Sequence, residues 1–108
     1  MKVNQGSLLG HSILYLEGRL DTAAVTQYRD QLLSEAETAD KLLLNFSGVD
    51  YVDSSGLGLI VSMIKRIREN NGELAVCNLS AQVQTLFELT RLTQIMTIYE
   101  TEEIALAA

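Results

Sequence analysis

The residues best suited to chemistry in this sequence lie in one short segment, residues 53–58, which runs Asp-Ser-Ser-Gly-Leu-Gly. A hydroxyl of Ser54 or Ser55 could cap a helix, act as a nucleophile, or be presented to the active site of another protein. Capping requires one hydroxyl and does not require Gly56 and Gly58 together. Two glycines beside an exposed serine also let another macromolecule come close. These residues alone leave capping and recognition both open.

Nucleophilic catalysis by Ser55 has no support elsewhere in the sequence. The G-x-S-x-G pattern is absent, and the only histidine, His11, is expected in a hairpin turn at the opposite edge of the sheet. Walker A and G-x-G-x-x-G patterns are absent as well, so a phosphate donor would have to come with a partner. One Cys and one His cannot form a closed zinc site, and Asp50-x-x-Asp53 has too few ligands for calcium. We therefore predict a protein that is not an enzyme and holds no metal or cofactor.

The composition is that of one ordinary globular domain, residues 1–108, with 47% hydrophobic and 20% charged residues. Fourteen acidic and eight basic residues give a formal charge of −6. Nucleic acids and anionic membranes are therefore poor partners, because phosphate binding needs clustered positive charge. The sequence shows neither a signal peptide nor a spanning segment. We expect a cytoplasmic protein in which Cys77 is a reduced core thiol.

The elements that must position residues 53–58 alternate between strands and helices. The patterns predict two strands around a Gly10-His11 turn, then a helix that follows a cap at Asp21 or Thr22 and runs to about residue 38. After it they predict a strand over 42–46, a loop over 47–54, a helix over 55–70, a strand over 74–77, a helix capped by Ser80, a strand over 95–99 and a helix over 101–107. The order β-β-α-β-α-β-α-β-α predicts a single α/β domain, with a small, mostly parallel mixed sheet of four to five strands and about four helices.

This order also predicts where a site would form. Right-handed crossovers bring the C-terminal ends of strands two, three and four to one edge of the sheet, which collects residues 18–21, 47–55 and 78–81. At that edge Asp21 could cap the first helix, offer its carboxylate to a basic patch on a partner, or do both. Asp53 could cap the second helix, orient Ser55, or do both, and capping is the simpler role.

The second helix has an inner stripe and an outer face. Its inner stripe is predicted to contain Leu57, Ile60, Val61, Ile64 and Ile67. Its outer face would then carry Leu59, Ser62, Met63 and Arg66, which could extend a partner surface. Leu59 and Met63 lie one turn apart, so they could form an apolar contact patch or pack against a neighbouring helix.

Taken together, these segments resemble the STAS-domain family that includes bacterial anti-sigma factor antagonists. Residues 53–58 resemble its phosphorylation loop, and residues 17–21 resemble its strand-ending G-x-L-D motif. Residues 44–49 and 72–76 resemble the strands on either side of the second helix. One departure is Asn45, where many members carry Asp.

The resemblance implies a switch between partners. In the family, an anti-sigma factor that is also a serine kinase phosphorylates the second hydroxyl after the Asp, which matches Ser55, with Ser54 as a secondary candidate. The unphosphorylated antagonist, a monomer when free, binds the anti-sigma factor and releases the sigma factor; a PP2C-type phosphatase reverses the phosphorylation. The expected partner-binding residues are Asp21, Asp53, Ser54, Ser55, Gly56, Leu57, Gly58, Leu59, Ser62 and Met63.

An alternative function keeps the same fold. Similar small domains serve as scaffold or interaction subunits of signalling or lipid-transport complexes. Such a protein could keep phosphorylation of Ser55 and would differ in its partner, which would be a transporter or another STAS protein.

Overall fold

A five-stranded sheet organises the chain, with the strands side by side in sequence order. The computed structural model describes residues 1–108 and places the strands at β1 (Lys2–Leu8), β2 (His11–Leu20), β3 (Lys41–Val52), β4 (Glu73–Cys77) and β5 (Thr97–Tyr99). β1 is antiparallel to β2, and every other neighbouring pair is parallel. The prediction of a mixed, mostly parallel sheet is confirmed.

Four helices connect and follow these strands: α1 (Thr22–Thr38), α2 (Ser54–Glu69), α3 (Ala81–Leu89) and α4 (Glu102–Ala107), with a short 3-10 helix at Leu92–Gln94. The predicted element order is confirmed. The predicted caps at Asp21 and Ser80 are also confirmed, since their side chains accept the N–H groups of Ala24 and Val83 at 3.1 and 3.2 Å. None of the helices combines the length and the apolar character needed to cross a membrane.

The two faces of the sheet are covered unequally. Helices α1, α2 and α3 pack on one face and bury the main core, in which the rings of Phe46 and Phe87 meet edge to face at 5.9 Å. On the other face the short helix α4 covers a cluster of four buried residues, Ile13, Leu43, Cys77 and Ala105. The central run of β3 is therefore buried on both sides, as its continuous apolar sequence predicts.

The loop predicted over residues 47–54 is wrong, because β3 continues to Val52. The second half of the strand pairs with the end of β2, where Gly18 lies opposite Val49 and Leu20 opposite Val52. Two register shifts insert extra residues into β3 along this stretch. Such bulges interrupt the alternation of apolar and polar side chains, so a strand rich in Gly, Ser and Asp looked like a loop.

The first hairpin also differs from the prediction. Its turn consists of Leu9 and Gly10, which both have positive φ angles of 53° and 80°, as a type I′ turn requires. His11 is the first residue of β2 rather than part of the turn. It lies at the N-terminal end of that strand, which keeps it at the opposite edge of the sheet from Ser55, as predicted.

Cys77 is the core thiol that the sequence predicts. Its ionisation should lower the free energy of unfolding at alkaline pH. Burial, with the nearby carboxylates of Glu102 and Glu103, raises its pKa from 9.0 to about 12. The raised pKa means that the folded protein favours the neutral thiol. The contribution of this thiol to the free energy of unfolding is therefore complete below pH 9 and is lost as the pH rises towards 12. Urea unfolding between pH 8 and about pH 11 should show a steeper loss of stability for the wild type than for Cys77→Ala. Parallel curves would contradict this expectation.

Candidate functional site

The N-termini of α1 and α2 meet at the C-terminal ends of β2 and β3. Asp53 caps α2, because its Oδ1 accepts the N–H of Gly56 at 3.0 Å, which confirms the capping role predicted for it. Its Oδ2 accepts the N–H of Thr22, the first residue of α1, at 3.2 Å. The N–H of Asp53 itself donates to the carbonyl of Leu20 at 3.2 Å. One carboxylate therefore fixes the first turns of both helices and the end of β2 to one another.

Ser55 projects its side chain into this junction. It is half-buried in the first turn of α2, and its Oγ lies 3.0 Å from Oγ1 of Thr22. Ser54, one residue earlier, is exposed. The two adjacent hydroxyls therefore differ in their surroundings, since only that of Ser55 is held by a contact across the two helices.

The surroundings of Gly56 and Gly58 differ, and they favour glycine for different structural reasons. Gly56 is buried, and a Cβ there would lie 2.4 Å from the carbonyl oxygen of Leu20. This contact supports the interpretation that a glycine lets α2 pack closely on the sheet. Gly58 is exposed and a Cβ there would meet no atom within 4 Å. Gly56 is thus required by the fold, whereas Gly58 leaves the surface beside Ser55 bare.

The exposure predicted for Leu59 and Met63 is wrong. Both side chains are only 1% exposed and belong to the main core, as the alternative of packing against a neighbouring helix requires. The buried stripe of α2 is centred on them because α1 packs along this side of the helix, while Leu57 is half-buried. The stripe that stays accessible beside Ser55 contains Gly58 and Ser62, at helical spacing.

Arg19 and Tyr51 lie at this edge, within the segments predicted to meet there, although neither was predicted as a site residue. The guanidinium carbon of Arg19 lies 3.9 Å from the centre of the Tyr51 ring, and its Nε is 3.7 Å from Oδ2 of Asp21. Tyr51 is 40% exposed and borders a shallow cavity of about 370 Å³ between β3 and α3, which Asp50 and Gln82 also line. The ends of β2 and β3 and the first turn of α3 therefore meet at this edge.

Thr22 is the other residue of the junction that sequence reasoning missed. The sequence marks Asp21 and Thr22 only as alternative caps of one helix, and a cap is a local feature. The contacts of Thr22 with Asp53 and Ser55 join residues more than 30 positions apart, so no local sequence pattern predicts them.

Removing the carboxylate of Asp53 should destabilise the fold more than removing an ordinary cap. Asp53→Ala orphans two N–H groups, those of Gly56 and Thr22, and we expect a loss of about 2 kcal/mol in the free energy of unfolding. The matched control Ser80→Ala removes a cap with a single N–H partner and should cost about 1 kcal/mol. Urea unfolding measures both. Equal losses would mean that the bond to Thr22 contributes nothing.

Comparison with known proteins gives this geometry a context. Residues 3–105 match the model of the STAS domain family. The chain is 33% identical to the anti-sigma F factor antagonist of Paenibacillus polymyxa over 99 residues, which are 90% of this chain and 85% of that protein. It is 32% identical to the anti-sigma-B factor antagonist of Staphylococcus aureus over 88 residues, 81% of this chain and 82% of the relative. The phosphorylated form of the Bacillus cell fate determinant SpoIIAA has the same fold, with a TM-score of 0.74 and 24% identity over 98% of this chain and 97% of its own.

Proposed function

Because the chain belongs to the STAS-domain family of bacterial anti-sigma factor antagonists, we propose that it binds an anti-sigma factor through the edge around Ser55 and that phosphorylation of Ser55 ends this binding. The anti-sigma factor is also the serine kinase in this proposal, and a PP2C-type phosphatase removes the phosphate. The exchange takes place in the bacterial cytoplasm.

The observation that carries the proposal is the position of the Ser55 hydroxyl. It lies half-buried at the start of a helix, next to the bare surface at Gly58. A kinase can approach such a hydroxyl closely, and a partner that covers the same surface would then have no room for a phosphate. Ser54 is the secondary acceptor because it is exposed in the same turn.

The proposed binding surface combines acidic and small residues. It comprises Asp21, Asp53, Ser54, Ser55, Leu57, Gly58 and Ser62, with the buried Gly56 supporting it from beneath. Three aspartates, at positions 21, 50 and 53, lie at this edge of a chain with a net charge of −6, so the complementary surface on the partner is basic. A phosphate would add about −1.5 to −2 charges to the same place.

The experiment that tests the proposal uses the partner itself. Wild type, Ser55→Ala and Ser54→Ala should each capture a small ATP-binding kinase from a lysate of the native host. With ATP, mass spectrometry should find the phosphoryl group on residue 55 of the wild type and of Ser54→Ala, whereas Ser55→Ala should show at most a slower modification of Ser54. Capture of a transporter ATPase or another STAS protein, independent of Ser55, would overturn the proposal in favour of a scaffold role.

A further inference from the structure

We infer that Thr22 is a positioning residue that aligns the Ser55 hydroxyl for phosphorylation and afterwards holds the phosphate, a role that rests on the proposed function. The Oγ of Ser55 has one hydrogen-bond partner in the protein, Oγ1 of Thr22 at 3.0 Å. Thr22 is itself held in place at two points. Its N–H donates to Asp53, and its carbonyl accepts the hydroxyl of Thr26 at 3.0 Å.

The chemistry of phosphoryl transfer favours Thr22 as the donor in its hydrogen bond with Ser55. Before transfer, a Thr22 hydroxyl that donates to one lone pair of Ser55 Oγ leaves the other lone pair free for the γ-phosphorus of kinase-bound ATP, and leaves the serine proton free for a base on the kinase. In the transfer the bond between Ser55 Oγ and phosphorus forms, the bond from phosphorus to ADP breaks, and the serine proton passes to a base on the kinase. Ser55 then has no proton to donate, so the hydrogen bond persists only if Thr22 donates to the phosphoserine. The threonine hydroxyl can donate this bond before and after transfer, whereas a valine of the same shape cannot.

The surrounding charges favour the second role of Thr22. The phosphate would lie close to the carboxylate of Asp53, whose oxygens already accept two N–H groups and offer no hydrogen to an anion. The Thr22 hydroxyl is the side-chain donor already in contact with Ser55 Oγ. Hydrogen bonding to a charged form lowers its pKa, so Thr22 should lower the second pKa of the phosphoserine.

Kinase assays test the first role. Thr22→Val should lower the turnover number for phosphorylation of Ser55 about tenfold, the effect of one hydrogen bond, with KM unchanged. Thr22→Ser should restore the wild-type rate. Thr38→Val, the same substitution at the exposed last residue of α1, should leave it unchanged, because the hydroxyl of Thr38 contacts only carbonyls of its own helix.

A titration that needs no kinase tests the second role. Phosphoserine can be installed at position 55 by suppression of a stop codon, and its second pKa followed by phosphorus NMR. Thr22→Val and Thr22→Ala should both raise that pKa by about half a unit relative to the protein with Thr22, and Thr38→Val should not. Two variants are used so that poor folding of one, detected by circular dichroism, does not decide the result.

The outcomes separate the two proposals. If the kinase does not phosphorylate Ser55 of the wild type, the proposed function is wrong, and the titration still shows whether Thr22 contacts the phosphate. If Ser55 is phosphorylated but Thr22→Val changes neither the rate nor the pKa, the role of Thr22 is wrong and the proposed function stands.

Discussion

Phosphorylation of Ser55 should weaken binding to the anti-sigma factor about a hundredfold or more while the protein stays folded. The phosphate would be enclosed in a desolvated interface beside Asp21 and Asp53, where unfavourable charge contacts cost several kcal/mol. Every 1.4 kcal/mol corresponds to a tenfold change in affinity. Isothermal titration calorimetry with the phosphorylated and unmodified proteins measures the difference.

The fold should tolerate this phosphate because the anion lies at a helix N-terminus. The free N–H groups and the dipole of α2 favour a negative charge there by about 0.3–1 kcal/mol, which offsets part of the repulsion from the two aspartates. Thermal unfolding should therefore give similar midpoints for both forms. Ser62→Asp, which places a charge two turns along the same stripe of α2, is a control and should weaken binding less than Ser55→Asp. A phosphorylated protein that unfolds would show that the switch acts through the fold instead.

The substitution Gly56→Ala should cost about 3 kcal/mol of folding free energy or more, the largest effect expected of any methyl group added to this edge. Its Cβ would lie 2.4 Å from the carbonyl oxygen and 2.8 Å from Cγ of Leu20, and 3.0 Å from a methyl group of Val52. Neither a strand carbonyl nor the buried Leu20 can move away without disturbing the pairing of β2 with β3. Urea unfolding of the variant measures the loss.

Gly58→Ala is the matched control, and it should separate folding from binding. Its Cβ enters open space, so the better helix propensity of alanine should stabilise the fold by about 0.5 kcal/mol. The same methyl group should weaken partner binding about tenfold, because it fills the surface that a closely packed partner would occupy. Normal binding by Gly58→Ala would remove this part of α2 from the interface. Equal stability of the two alanine variants would contradict the packing role of Gly56.

The sequence predicts best those features that depend on neighbouring residues. Asp21, Asp53 and Ser80 cap the helices that they precede, because a cap needs only the side chain and the next three residues. The sequence left exposure and burial of Leu59 and Met63 open as alternatives, for a different reason. The apolar residues of α2 are distributed around much of its circumference. Which of them face inward depends on where α1 packs against the helix, and that position is set by the whole fold.

Local sequence patterns do not predict contacts between residues that are far apart in the chain. Asn45 is only 7% exposed, and its amide donates to the carboxylate of Glu102 at 3.0 Å. Nothing near Asn45 in the sequence indicates a partner on the last helix. The pairing of Thr22 with Ser55 is the same kind of feature, and it lies in the candidate site itself.

The carboxylate of Asp53, shared between two helices, has a consequence for the kinetics of partner exchange. Because it joins the first turns of α1 and α2, the surface around Ser55 is already assembled in the free protein. Ordering that surface then adds little to the entropic cost of binding. The association rate is set mainly by diffusion and charge. A phosphate on such a preorganised surface should act chiefly by shortening the lifetime of the complex, so that each bound antagonist leaves soon after it is modified.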